Sequence, residues 1–263
     1  MPSSPFVAHL SRIWRMTGRW LPGGWLDALR QIALFGGAYY AYRLVRGFVD
    51  GQDTLAFENA RTLVDWERAM GTFFEPALQG WAKSQDAVIW TANWMYVNSH
   101  FVITTTFLIW LYIARNHAYY FVRNMFMVAM GFALIGYMAY PTAPPRFLPE
   151  WGFSDTVASF VGESAASSAD VLYNPYAAVP SMHVAFALMI AVPAIALVKH
   201  RVFKVLWAIY PALVTFVVVA TGNHFWLDAA FGVAVATASA WMASAAFARA
   251  RPEAWAWRRA EAT

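Results

Sequence analysis

Long apolar stretches alternate with short polar ones along most of the chain. Six are long enough for a spanning helix of about 20 residues, at roughly 26–46, 87–114, 121–140, 180–198, 203–221 and 225–247. Arg30, Arg43 and Arg46 punctuate the first. Two intervening stretches are too polar to span. Residues 51–85 place Leu55, Ala56, Leu63, Trp66, Met70, Phe73 and Phe74 at helical spacing, with Glu58, Arg61, Asp65 and Arg68 between them. That is the pattern of an amphipathic helix lying along a membrane surface, and it predicts that Glu58 and Glu67 face solvent. Residues 141–178 are rich in Pro, Gly, Ser and Ala and read as an external loop; loops of such length are usually functional or disordered. The expected fold is all-α: a polytopic membrane protein with six transmembrane helices plus an external interfacial helix, forming a single membrane domain over residues 1–263. No internal repeat is visible.

Composition agrees with a membrane setting. The chain is 60% hydrophobic and 13% charged, against about 25% charged in soluble domains. It has no cysteine, which excludes disulfides, thiolate nucleophiles and cysteine-based metal sites. The net charge of +4 is explained by topology rather than by nucleic acid. With a cytoplasmic N-terminus, the inner segments hold Arg12, Arg15 and Arg19; Arg115 and Arg123; Lys199, Arg201 and Lys204; and Arg249, Arg251, Arg258 and Arg259. The outer segments hold Arg61, Arg68, Lys83 and Arg146, beside eleven acidic residues from Asp50 to Asp170. This bias predicts a multi-pass cell-membrane protein with both termini cytoplasmic. No small-residue cleavage site follows the N-terminal arginines, so no signal peptide is expected.

The chemistry-bearing residues then fall on one side of the membrane. "YPTAPPRFLPEWGFSDT" follows the third span, "VPSMHVA" opens the fourth, and "TGNHFWLDAAFG" joins the fifth to the sixth. His183, His224, Asp228 and Arg146 can therefore meet on the periplasmic or extracellular face. His224 and Asp228, four apart, share a helical face; a carboxylate there fixes the Nδ1–H tautomer and leaves Nε2 as a nucleophile. His183 lies in the first turn of its span, where free N–H groups and the helix dipole favour an anion. Pro180 suits a helix start, and Ser181 is placed to cap it or to donate to the same anion. Arg146 offers a forked donor that matches phosphate. Together these suggest phosphoryl transfer, with His224 attacking phosphorus and His183 protonating the departing oxygen. A carboxylate at position 228 inside an apolar span is itself a functional marker. Asn223 either positions His224 or caps the sixth span. Asn98, Ser99 and His100 are either substrate contacts or interhelical hydrogen-bonders. The many Trp and Tyr residues read mostly as an interfacial belt. No zinc-type histidine spacing occurs, and no metal or cofactor is expected.

"PSMH" followed about 40 residues later by "HFWLD" resembles the type-2 phosphatidic-acid phosphatase superfamily, with its P-S-x-H and H-x3-D motifs. "PTAPPR", "VPSMHVA", "TGNHFWLDAAFG", "ENARTLVDWERAMGTFFEPALQ" and "HFVITTTFLIWLY" resemble its inositol phosphorylceramide synthase-like branch, so the likeness covers most of residues 55–240. The resemblance implies a metal-independent phosphohistidine on His224, oriented by Asp228, with His183 as the acid. The broad superfamily also carries a lysine seven residues before its first-motif arginine and an arginine six residues before its last histidine. Here these positions are Ala139 and Val218. Arg43, Arg46 and His100 are candidates to replace the missing cations.

The expected activity is a phosphotransferase acting on a lipid phosphate or phospholipid head group, with inositol or a sugar as possible acceptor. The alternative is a lipid or polyprenyl (di)phosphate phosphatase with water as acceptor. A transporter or flippase using a His/Asp proton relay is the alternative from another class. Such a relay would scatter ionisable groups through the depth of several spans, whereas here they gather at one end.

Overall fold

The computed structural model describes residues 17–18, 21–47, 53–162 and 176–250. Arg12, Arg15, Arg19, the "ESAASSAD" stretch and the basic C-terminal tail lie outside the described residues, as do the side chains of Arg43 and Arg46. The described chain is helical, with one isolated bridge between Thr142 and Ala177. Its helices are α1 (Gly24–Gly47), α2 (Asp53–Ala69), α3 (Glu75–Lys83), α4 (Asp86–Ala114), α5 (Asn116–Ala139), α6 (Thr156–Val161), α7 (Met182–Leu197), α8 (Arg201–Ala220) and α9 (Trp226–Phe247).

Four of these, α4, α5, α8 and α9, are long and apolar enough to cross a membrane. The protein is therefore an all-α membrane protein. Of the other two expected spans, α7 is apolar but shorter, at 16 residues. α1 matches α5 in length at 24 residues, but its charges interrupt the apolar run.

The packing gives each helix a place. α7 is buried along nearly its whole length, from Met182 to Ala194, and packs against α5, α8 and α9. Outward-facing apolar side chains such as Phe101, Ile109, Ile135, Val192, Val202 and Ile209 are exposed, as suits a surface met by lipid rather than water. α1 runs the length of the bundle. At its start Asp27 Oδ2 accepts from Tyr112 Oη at 2.8 Å and Tyr120 Oη at 3.1 Å, at the α4–α5 corner. Near its other end the Tyr42 hydroxyl donates to Tyr137 Oη at 3.2 Å.

Residues 51–85 form two helices rather than one, and their buried face differs from the expected stripe. Ala56, Ala60, Leu63, Val64 and Glu67 face inward, while Leu55, Trp66, Met70 and Phe74 are exposed. Glu58 is exposed as expected, but Glu67 is fully buried. Hydrophobicity misassigns this face because a protein in lipid can be apolar on its outside as well. In the expected 141–178 loop, residues 141–162 are more regular than a plain loop. Pro145–Phe147 and Pro149–Trp151 are 3₁₀ turns, and α6 is N-capped by Asp155, whose Oδ1 accepts from Ala158 N at 2.8 Å.

Candidate active site

Backbone contacts bring three chain segments to one end of the bundle. Ser181, the N-cap residue of α7, donates its N–H to the Asp228 carbonyl at 3.0 Å, tying the start of α7 to the first turn of α9. The α8–α9 turn is tightened by Gly222, whose φ of +69° favours glycine, and by Asn223 N and His224 N, which both donate to Val218 O at 3.0 and 3.1 Å. The Arg146 N–H donates to Gly222 O at 2.8 Å, fastening the proline-rich segment to that turn. Ends of the 141–178 segment meet where Thr142 N donates to Tyr176 O at 2.7 Å.

His224 Nδ1 lies 3.2 Å from Asp228 Oδ2. The expected contact exists, but not along a helix face: α9 begins at Trp226, so His224 precedes it and the pair spans the helix start. Asp228 Oδ2 also accepts from Phe225 N at 2.9 Å, which fixes the carboxylate. With Nδ1 held by a buried carboxylate, Nε2 is the imidazole nitrogen left for chemistry, the tautomer following from the partner.

The His183 and His224 rings stand edge to face, with centroids 5.8 Å apart. On its other sides His183 meets Tyr96, stacked at 4.8 Å, and His100 at 4.5 Å. Tyr96 lies in the π-helical turn Met95–Ser99 of α4 and His100 directly follows it, a local widening common at functional sites. Asn98 and Ser99 neither face the site nor bond across helices. Their side chains donate to Trp94 O at 3.0 Å and Met95 O at 2.6 Å within α4 itself.

The Arg146 guanidinium is oriented from two directions. Nε pairs with Asp155 Oδ2 at 3.2 Å, and Nη1 donates to Asn223 Oδ1. Asn223 Nδ2 in turn donates to Thr221 Oγ1 at 2.8 Å. Asn223 thus orients the arginine, while Phe225 occupies the cap position of α9. Ser181 is different: its hydroxyl is buried, makes no cap hydrogen bond and has no partner, and it does not line the cavity between the histidines.

That cavity has a volume of about 150 Å³, the space of about five waters at liquid density. His100, Arg146, His183, Asn223 and His224 line it, together with Tyr39, Tyr42, Tyr96 and Tyr137. The tyrosines were expected in an interfacial belt. Spacing alone does not separate a belt tyrosine from one turned inward, although Tyr96, four residues before His100, shares its helical face. Asp155 was also missed, nine residues beyond Arg146 with no motif to mark it. Among the described residues no three His, Asp or Glu side chains are grouped to hold a metal ion.

No curated protein and no solved structure matches the chain. A family model described as PAP2 superfamily matches residues 61–242, well over half of the chain. The matched part contains Arg146, both facing histidines and Asp228. On that match the chain belongs to the PAP2 superfamily.

Proposed function

We propose that the protein is a membrane phosphotransferase that acts on a lipid phosphate or phospholipid head group through a phosphohistidine on His224. Superfamily membership supports lipid phosphatase or phosphotransferase chemistry as the class. The observation that carries the mechanism is the buried His224 Nδ1–Asp228 Oδ2 contact of 3.2 Å, with the His183 ring edge-on in the same cavity.

In the first step the His224 Nε2 lone pair attacks phosphorus. The N–P bond forms as the bond to the leaving oxygen breaks, and His183 gives that oxygen a proton. In the second step an acceptor hydroxyl loses its proton to His183 and attacks phosphorus, and the N–P electrons return to His224. Asp228 stabilises the imidazolium character that develops on His224. Arg146, held by Asp155 and Asn223, presents its fork to the phosphoryl oxygens. Of the three candidates for the missing superfamily cations, His100 is half-buried beside His183 and lines the cavity; with no acidic partner it is placed to donate a hydrogen bond to the phosphoryl group rather than to supply a charge.

The topology belongs to the same reading: six spans formed by α1, α4, α5, α7, α8 and α9, both termini cytoplasmic, and α2 and α3 along the outer membrane surface. The inner end then carries Arg115, Lys199, Arg201 and Lys204. Anchoring of α1 from Asp27 at one end of the bundle to Tyr42 at the other supports its counting as a span.

A hydrolase using water as acceptor is the second reading, favoured by the superfamily being generally one of phosphatases. Mass spectrometry of products from a panel of lipid phosphates and phospholipids, with and without inositol or sugars, tests both. A head group transferred to the polyol supports the transferase; free phosphate alone, whatever polyol is added, assigns the hydrolase. Substrate turnover insensitive to vanadate, without a labelled protein intermediate, would remove the phosphohistidine.

A further inference from the structure

Two carboxyl groups lie behind the histidine pair, outside the cavity. Glu67 on α2 and Glu75 on α3 are each 0% exposed. Each gives one oxygen to the start of α9: Glu67 Oε1 accepts from Leu227 N at 3.2 Å, and Glu75 Oε1 from Trp226 N at 3.0 Å. Asp228 closes the same turn by accepting from Phe225 N at 2.9 Å. A helix start leaves its first N–H groups without intrahelical partners, and Phe225 at the cap position has no side-chain oxygen to offer. Three consecutive N–H groups are instead met by three carboxyl groups, two of them from remote helices. Thr72, between α2 and α3, adds a further tie: its hydroxyl accepts from Trp226 Nε1 at 3.1 Å.

The remaining oxygens show what state this arrangement requires. Oε2 of Glu67 and Oε2 of Glu75 are both buried without a donor, and the two carboxyl groups they belong to are side by side on successive N–H groups, those of Leu227 and Trp226. Two carboxylates present acceptors only. Ionised together they would set two like charges side by side, with Asp228 as a third acid nearby. Among the described residues neither glutamate is in an ion pair. The basic side chains of these elements lie elsewhere: Arg61 is 3.9 Å from Glu150, Arg68 is over Phe73 and Trp151, and Lys83 is on Ser154. One proton held between the two resolves both the repulsion and the orphaned oxygens. Burial, reinforced by the neighbouring Glu75 carboxyl, pushes Glu67 up to about 9.

We propose that Glu67 and Glu75 act as one proton-sharing clamp on the first turn of α9, and are positioning residues that hold Asp228 in register with His224. The role in turnover rests on the phosphohistidine reading above. Loss of the shared proton sets the two carboxylates against each other, releases the Trp226 and Leu227 N–H groups, and loosens the turn that carries Asp228. The rate then falls at alkaline pH through kcat, with little change in KM, because neither glutamate touches the cavity. The groups that face this proton are Glu75 from α3 and Asp228 from α9, with His224 behind Asp228.

The test uses the full chain in lipid nanodiscs. Glu67→Gln keeps both contacts without a titratable proton, since its carbonyl accepts from Leu227 N and its amide donates to Glu75. It is expected to retain kcat at neutral pH and to lose the alkaline fall-off; an unchanged alkaline limb overturns the shared proton. Glu67→Ala strands a buried N–H and is expected to lower kcat by about 10- to 100-fold with KM nearly constant; unchanged kcat overturns the positioning role. Infrared difference spectra between wild type and Glu67→Gln supply a readout free of turnover. A deuterium-sensitive carboxylic-acid band at neutral pH, absent from Glu67→Gln, is expected; its absence from the wild type overturns the clamp. The spectra stand even if His224 carries no phosphate, so failure of the clamp and failure of the phosphohistidine are told apart.

Discussion

Gly232 on α9 lies against the carbonyl oxygen of Ser181, so close that a Cβ at position 232 would sit 2.4 Å from it. The missing side chain is what lets the start of α7 approach α9 closely enough for Ser181 N to reach Asp228 O at 3.0 Å. Gly232→Ala has no flexible neighbour to displace, since the obstructing atom is backbone. It is expected to cost about 1–3 kcal/mol by overpacking and to separate His183 from His224. Thermal unfolding in detergent checks the first effect. A kcat loss larger than the loss of folded protein checks the second, and wild-type kcat would dissociate this helix contact from catalysis.

Asp228→Asn preserves shape but can present its amide N–H to His224 Nδ1, which favours the wrong tautomer. A comparable change in a serine-protease His–Asp pair lowers kcat about 10⁴-fold, and a drop on the order of 10³- to 10⁴-fold is expected here. His224→Ala is expected to abolish radiolabelling of the protein by labelled substrate. Label that survives His224→Ala would move the nucleophile to another side chain.

The four groups expected to meet, His183, His224, Asp228 and Arg146, were legible because each sits at a span end. The charge bias among the loops, carried mostly by other residues, predicts that those ends share one side. Asp228 was visible for a second reason, as a carboxylate in an apolar run. Glu67 was not. In sequence it is one acid beside Glu58, Asp65 and the basic Arg68, while its donor, the N–H of Leu227, lies 160 positions away. Its partner Glu75 belongs to another helix, and nothing in the local pattern marks two acids that bury each other. α7 was legible as an apolar segment, whereas its central place in the bundle follows from packing against α4, α5, α8 and α9.

His183, as the proton donor, matters most when the leaving oxygen is a poor one. His183→Ala is expected to slow phosphoenzyme formation from alkyl phosphate esters by about 10²- to 10⁴-fold, and from an activated aryl phosphate far less. Rapid-quench measurement of the labelled adduct with both substrates separates the cases. Equal slowing would make His183 a binding group, in keeping with its ring stacking on Tyr96.

Arg146 is held at Nε by Asp155 and at Nη1 by Asn223, so its fork enters the cavity already oriented. Arg146→Lys retains charge but not the fork, and loses both anchors. KM is expected to rise roughly 10- to 100-fold, the equivalent of one charge-assisted hydrogen bond. Asp155→Asn is expected to do so to a smaller degree, since Asn223 still holds the guanidinium. Steady-state kinetics on a soluble short-chain substrate reports both, and an unchanged KM in Arg146→Lys would take the guanidinium off the phosphate.

The buried Glu67 carboxyl also sets a direction for stability against pH. In the unfolded chain it titrates near 4.5, whereas in the fold burial raises it to about 9. Below the lower value both states hold the proton and the folded state is undisturbed. Between the two the unfolded chain releases a proton that the folded protein keeps, so raising the pH favours unfolding across this window. Above the upper value both states have lost it and the slope vanishes. Unfolding midpoints in detergent are therefore expected to fall from about pH 4.5 to about pH 9 and then to level off. Glu67→Gln, with nothing to titrate at that position, is expected to lack this component. A Glu67→Gln profile parallel to wild type across the whole window would show that the proton is not held at Glu67.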